Sequence, residues 1–358
     1  MNKVVIIGHF GGPKKFNDGQ TIKSLALYNA LTKSIGDVSK VDTYYIKHNP
    51  IKFVFQFLSM VLRNKKIIVL VSINGRKFLF PILYVLSKYL KKEVYHSGIG
   101  GRLAREVSED KNLKKYVTYF KANWMESKLL VENLKKQGVE NAVYVPNFKR
   151  LTKLTPDEIE YNVAKPFAFC IFSRVMKEKG VEDAIKAVEE LNAKYDSQVA
   201  VLDIFGPIEE GYDEQLMKLL DKSPNCKYRG VVEANKSVEI LKHYFCLLFP
   251  THWRHEGIPG TIIDALASGT PIISRKWQYC TEMIVDHITG FIYEYDYPEE
   301  LINIIDYAIS HPEVVNGMKK NCLEKSEEYR EENVIRQIIQ LMDLNDSLET
   351  SYEKSSLD

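Results

Sequence analysis

The sequence predicts an α/β protein of two domains, each a mostly parallel sheet with helices on both faces. Short apolar runs alternate with helical segments through both halves of the 358 residues, and strands that alternate with helices pair in parallel through crossover connections. A polar stretch from Lys149 to Lys165, holding Pro156 and followed by Pro166, separates the halves as a linker would. The hydrophobic content of 45% suffices for two ordinary cores. The expected boundaries are a first domain over 1–150, a linker over 151–165, a second domain over 166–328, a terminal helix over 329–347 and a polar tail over 348–358.

Lys3 to Gly8, KVVIIG, is a strand that opens into the loop HFGGPKKFNDGQ, and Thr21 to Ser34 follows as a helix with Leu25, Leu27, Ala30 and Leu31 toward a core. Strand, glycine loop and helix is the plan of a dinucleotide fold, but Gly8, Gly11 and Gly12 miss the G-x-G-x-x-G spacing, which argues against a dehydrogenase. Strands follow near Lys40 to Ile46, Lys66 to Val71 and Glu93 to His96, with helices near Ile51 to Arg63 and Phe78 to Leu90. The segment IKFVFQFLSMVLRNKK is aromatic and apolar with basic residues at both ends, and suits equally a helix in a membrane interface or a buried core helix. Ala122 to Gln137 has helical composition and stops at Gly138, after which AVYVPNFK is a strand.

The second half repeats the plan. FAFCIFSR, VAVLDIFG and CKYRGVV are strands, with GVEDAIKAVEELNAK, YDEQLMKLLDK and KSVEILKHY as the helices between and after them. ENVIRQIIQLMD is a last helix and SLETSYEKSSLD a polar tail.

The net charge of +2 hides a division. Met1 to Arg150 holds 27 Lys and Arg against 10 Asp and Glu, a formal +17, and the remainder holds 22 against 37, or −15. Such a first half suggests an anionic partner, either a diphosphate or an anionic membrane surface. Nucleic acid is not expected, since no DNA- or RNA-binding motif is present and the other half is acidic. The five cysteines stand singly without C-x-x-C, so they are read as reduced, mostly buried thiols. No apolar run reaches the length of a membrane span and the start turns glycine-rich too early for a signal peptide, so a cytoplasmic protein is expected.

The chemistry concentrates in Phe249 to Arg275, FPTHWRHEGIPGTIIDALASGTPIISR. Cys246 to Phe249 is a strand ended by Pro250; Gly257, Pro259 and Gly260 break the backbone; Thr261 to Ser268 is helical; and Gly269 and Pro271 stop it. A helix N-terminus beside glycines is a site for a phosphate. Glu256 stands just before it and Asp264 is expected in its first turn, where an acid also serves as a helix cap. A second loop, SRVMKEKG, carries Arg174 and Lys179 ahead of Gly180 at a helix start. Two cations beside helix amides form a diphosphate clamp, unless they are simply solvated loop cations. Ile208 to Gly211 stand where a base would border.

Glu256, seven residues and Asp264 resemble the acid, seven residues, acid signature of retaining nucleotide-sugar glycosyltransferases of family 4, and EGIPGTIIDALASGTPII is similar to that family beyond the two acids. Arg174 and Lys179 resemble its arginine and lysine pair, with Ser173 where glycine is common. YHSGIGGRLA, around His96 and Arg102, resembles bacterial polysaccharide glycosyltransferases. The resemblance implies the two-domain GT-B architecture, two open parallel sheets facing one cleft, with the terminal helix crossing back to the first domain. It implies a UDP-sugar or GDP-sugar donor, UDP favoured, and transfer of a hexose or N-acetylhexosamine to a glycan or lipid-linked acceptor. Glu256 would contact the donor sugar and Asp264, one methylene shorter than the family's second glutamate, the ribose. Arg174, Lys179, Gly257, Pro259, Gly260 and Thr261 would hold the diphosphate, with Gly11, Gly12 and Gly19 of the first loop near the donor phosphates. His96 would bond the donor sugar or acceptor, and Arg102 an acceptor phosphate. No cofactor and no metal is expected, there being no Asp-x-Asp. A nucleotide-sugar 2-epimerase on the same fold and a non-catalytic partner subunit are the alternatives.

Overall fold

A computed structural model describes residues 4–13, 19–150, 152, 154–233, 235–254, 256–297 and 299–344. The expected polar tail and part of the first glycine loop lie outside them. The chain divides into two units, one comprising residues 4–147 with 331–344 and the other Phe148–Arg330.

The first unit runs β1 (Val4–Gly8), α1 (Gly19–Ile35), β2 (Val38–Asp42), α2 (Tyr45–His48), α3 (Pro50–Arg63), β3 (Lys66–Val69), α4 (Ile73–Leu90), β4 (Glu93–Ser97), α5 (Leu103–Glu109), α6 (Lys111–Tyr119), β5 (Ala122–Met125), α7 (Lys128–Lys136) and β6 (Ala142–Tyr144). Its six strands form a parallel sheet in the order β2-β1-β3-β4-β5-β6. β1 and β3 are buried along their whole length, which is why, apart from Lys66, they read as apolar runs rather than alternating ones.

The second unit runs β7 (Phe167–Phe172), α8 (Val181–Tyr195), β8 (Ala200–Phe205), α9 (Asp213–Leu220), β9 (Cys226–Gly230), α10 (Ser237–Leu241), β10 (Cys246–Phe249), α11 (Gly260–Ala267), β11 (Ile272–Arg275), α12 (Cys280–Met283), β12 (Gly290–Tyr293), α13 (Glu300–Ser310) and α14 (Pro312–Ser326). Its parallel sheet has the order β12-β11-β10-β7-β8-β9. Phe169, Leu202, Phe245 and Leu248 fill its core against Ala184, Val188 and Leu191 of α8. All five cysteines are buried, and all lie in this unit. The last helix, α15 (Glu331–Leu341), belongs to the first unit, where it packs on α1 and Gln337 Nε2 donates to the Tyr144 carbonyl at 2.7 Å. Among the described residues no helix is long and apolar enough to cross a membrane.

Four expectations change. The helix expected over Ala122 to Gln137 is two elements: Ala122–Met125 is strand β5, and only Lys128–Lys136 is helical, capped by Ser127 accepting from the Leu130 amide. The β5 side chains are all buried, and that tertiary demand overrides local propensity. The second strand stops at Asp42 because its carboxylate turns to accept backbone amides of the neighbouring loop. The strand β12 and the helices α5, α6, α13 and α14 were not foreseen. The polar stretch from Lys149 to Lys165 lies along the second unit, with Ile159 buried and Asn162 and Asn316 exchanging hydrogen bonds.

The strand assignment of β5 is open to test. Trp124 is 1% exposed with its ring 5.3 Å from that of Tyr95, so Trp124→Ala is expected to cost the first unit about 3 to 5 kcal/mol. Urea denaturation checks this, and a solvated helix position would show almost no loss.

Candidate active site

In the second unit two loops meet, one after β7 and one after β10. Gly180 sits between them with φ of 72°, and a Cβ there would collide with the Pro250 carbonyl oxygen. Only glycine adopts this backbone at this approach without strain. The Glu178 carbonyl then accepts the His252 amide at 2.8 Å, which fastens one loop to the other.

The contact carries Lys179 to Glu256. Their side chains form an ion pair, both mostly buried, and Thr251 Oγ1 lies 3.3 Å from the same carboxylate oxygen. The Lys179 ammonium also stands 5.8 Å from the centre of the Phe249 ring. Glu256 is held further by its amide bonding the Trp253 carbonyl, and the Gly257 carbonyl accepts from Trp277 Nε1 at 3.3 Å. Arg174 is exposed at the start of the β7 loop. One residue on, Val175 forms a parallel bridge to Ile208, so the 208–211 segment begins beside the arginine.

Helix α11 opens at Gly260 with Pro259 as its cap residue and no side chain bonding the first amides there. Thr261 Oγ1 is out of solvent and has no hydrogen-bond partner. Asp264 is the fifth helical residue and not in the first turn, so the expected capping position is corrected by the earlier start of the helix. Its side chain is buried, and Lys149 Nζ bonds its Oδ2 at 2.5 Å. Burial pushes the Asp264 carboxyl up from its ordinary value, with Lys149 and Ser237 opposing that. The same ammonium would lie 3.6 Å from a Cβ on Gly260, so it sits beside the helix N-terminus. Sequence reasoning missed Lys149, Thr251 and Trp277. Lys149 lay in a stretch read as linker, and its partner is 115 residues away.

An ion cluster centred on a buried arginine flanks these loops. The Arg275 guanidinium, 2% exposed, donates to Asp183 Oδ2 at 2.6 Å and stands 2.9 Å from His252 Nδ1. His252 Nε2 lies 3.0 Å from the same Asp183 oxygen. Among the described residues no group of three or more His, Cys, Asp or Glu could hold a metal ion.

The other expected residues, Gly11, Gly12, His96 and Arg102, belong to the first unit. Gly11 and Gly12 both have positive φ, and the buried Asp42 carboxylate accepts the amides of Phe10 at 2.9 Å and Gly12 at 2.8 Å. Gly19 opens α1 with open space where a Cβ would be. Arg102 is exposed immediately before α5. His96 is completely buried, edge-on to Phe80 and 3.2 Å from Asn123 Oδ1 through Nδ1. The Asn123 amide donates to the Val117 carbonyl and to Asn141, which makes its oxygen the acceptor and His96 Nδ1 the protonated nitrogen. Nε2 is then a buried acceptor with no partner. Burial, aided by the Arg76 charge, holds the imidazole down to about 3.

Comparison with known proteins bears on the second unit most. Residues 157–325 match the family model described as Glycosyl transferases group 1. An uncharacterized glycosyltransferase of Methanocaldococcus jannaschii is 28% identical over 208 residues, which are 56% of this chain and 48% of that relative, so the chain matches about half of its length. An uncharacterized glycosyltransferase of Haemophilus influenzae is 24% identical over 93% of this chain and 97% of its own. Among solved structures, Anabaena HepE in complex with UDP superposes with a TM-score of 0.71 at 15% identity, covering 96% of this chain and all of that one. The two six-stranded parallel sheets are thereby those of the GT-B fold, and residues 157–325 are the part that matches the group 1 glycosyltransferase model.

Two outcomes test the site as a structure. Lys149→Met leaves the buried Asp264 carboxylate without its cation and is expected to cost about 2 kcal/mol, less than a fully buried pair because Lys149 is partly exposed. Adding Asp264→Asn to the same chain should recover most of it, read as coupling in a double-mutant cycle. For His96 the unfolded chain takes a proton below about pH 6.5 that the folded chain refuses until about pH 3. Stability therefore falls as pH falls through that window, by about 1.4 kcal/mol per pH unit from this residue. His96→Asn should flatten that limb in urea titrations at stepped pH.

Proposed function

We propose that the chain is a retaining glycosyltransferase that moves a hexose or N-acetylhexosamine from a nucleotide-diphosphate sugar, UDP favoured over GDP, to a glycan or lipid-linked acceptor in bacterial surface polysaccharide synthesis. The observation that carries this is the pairing of Lys179 with Glu256 at the mouth of α11, inside the segment that matches the glycosyltransferase model. UDP as the leaving group is supported by HepE, which is solved with UDP and with UDP-glucose.

In this reading the two partners separate when donor binds. The diphosphate takes Lys179, together with Arg174 and the amides near Gly260, and the sugar hydroxyls take Glu256. As the bond from the sugar C1 to the diphosphate oxygen breaks, negative charge grows on that oxygen, and fixed cations and amides that need not reorient stabilise it. The acceptor hydroxyl adds to C1 from the same face and gives its proton to the departing phosphate oxygen. No covalent nucleophile, metal or cofactor enters. The ribose falls to Asp264 and Lys149, whereas His96, fully buried within β4, is a core residue and takes no part in the reaction.

Thermal shifts with UDP, GDP and their sugars should show stabilisation by the true donor, since a ligand bound only to the native state raises Tm. Lys179→Ala and Arg174→Ala should each weaken UDP binding by about ten-fold or more, the size of one charge-assisted contact. Glu256→Gln should keep UDP affinity, because it also frees Lys179 from its competitor, while donor turnover drops sharply. Unchanged UDP affinity in both cation variants would remove the diphosphate role.

A further inference from the structure

Helices α3 and α4 each lead onward in the same direction across the sheet order β2-β1-β3-β4. Right-handed crossovers therefore put both on one face of that sheet. At helical spacing α3 carries three stripes about 120° apart. Phe53, Phe57 and Val61 are buried toward the sheet; Lys52, Gln56, Ser59 and Arg63 form a polar stripe; and Ile51, Val54, Phe55, Leu58 and Leu62 form an apolar stripe that is exposed. Ile51 and Phe55 are 72% and 73% exposed. In α4, Leu79, Phe80 and Leu83 face inward, while Phe78, Ile82, Val85 and Tyr89 form a second exposed stripe, with Lys77 and Lys88 beside it. Single exposed apolar side chains are ordinary, but two exposed stripes on helices of one sheet face mark an interaction face.

Charge identifies the occupant. Residues 43–92, which include both helices, contain ten Lys and Arg and no Asp or Glu. A second copy would bring like charges together, whereas an anionic bilayer offers acyl chains to the apolar stripes and phosphates to the cations around them. We propose that this face of the first unit docks on an anionic lipid bilayer, with α3 and α4 lying along its interface. The proposal does not depend on the catalytic reading.

Vesicle sedimentation of the full chain tests it. The chain should pellet with vesicles of equal parts phosphatidylcholine and phosphatidylglycerol and not with phosphatidylcholine alone, and added salt should weaken the binding. The double variant Phe55→Ser, Leu58→Ser should lose at least about ten-fold in vesicle affinity while its thermal unfolding stays unchanged, because both residues are exposed. Lys52→Glu with Lys88→Glu should lose as much by charge alone. Failure to pellet with the mixed vesicles, or binding that survives both double variants, overturns the proposal. So does a dimer in solution that the Phe55→Ser, Leu58→Ser chain no longer forms, which would make the face a contact between two copies.

Discussion

The absence of one Cβ, at residue 180, sets the candidate site. The loop after β7 and the loop after β10 come from neighbouring strands, and they pack so closely that a Cβ on Gly180 would strike the Pro250 carbonyl. From that approach follow the His252 amide bond to Glu178, the seating of Thr251 and the meeting of Lys179 with Glu256. A side chain at 180 would force the loops apart and leave a cation and an anion each to solvent. The chemistry of the second unit thus rests on a steric condition and not on an attraction.

The attractions act on top of that condition. Two lysines and two carboxylates stand around α11 as two ion pairs, Lys179 with Glu256 and Lys149 with Asp264. Partial burial makes each ion costly alone, so each pair holds its members in position more than it stabilises the fold. The arrangement keeps the Lys149 ammonium beside a helix N-terminus that has no side-chain cap, where a like charge would otherwise be pushed away. An arriving anion therefore meets cations already placed, and must displace a carboxylate to use them.

The sequence made the local parts of this plain. Strand, breakers, short helix, stop and strand between Cys246 and Arg275 are contiguous and have their own punctuation, and they fold as written. What was not legible depends on distance along the chain. Ala122–Met125 has neither the length nor the β-branching of a typical strand, and becomes one because β4 and β6 flank it. Lys149 had no visible reason to leave a polar linker, since its partner is on a helix far downstream. His96 was expected at the start of a ligand loop, but it lies inside strand β4 and is buried against Phe80 and Asn123, whose proximity no local pattern announces.

The five cysteines have a practical consequence. Burial raises the pKa of every one of them, so few thiolates exist at neutral pH, and all are buried. All five belong to the second unit. A thiol-reactive dye would then be silent on the native chain and on any opening of the first unit alone. Its labelling rate becomes a clock for one half of the molecule, which the protein carries without any engineered probe.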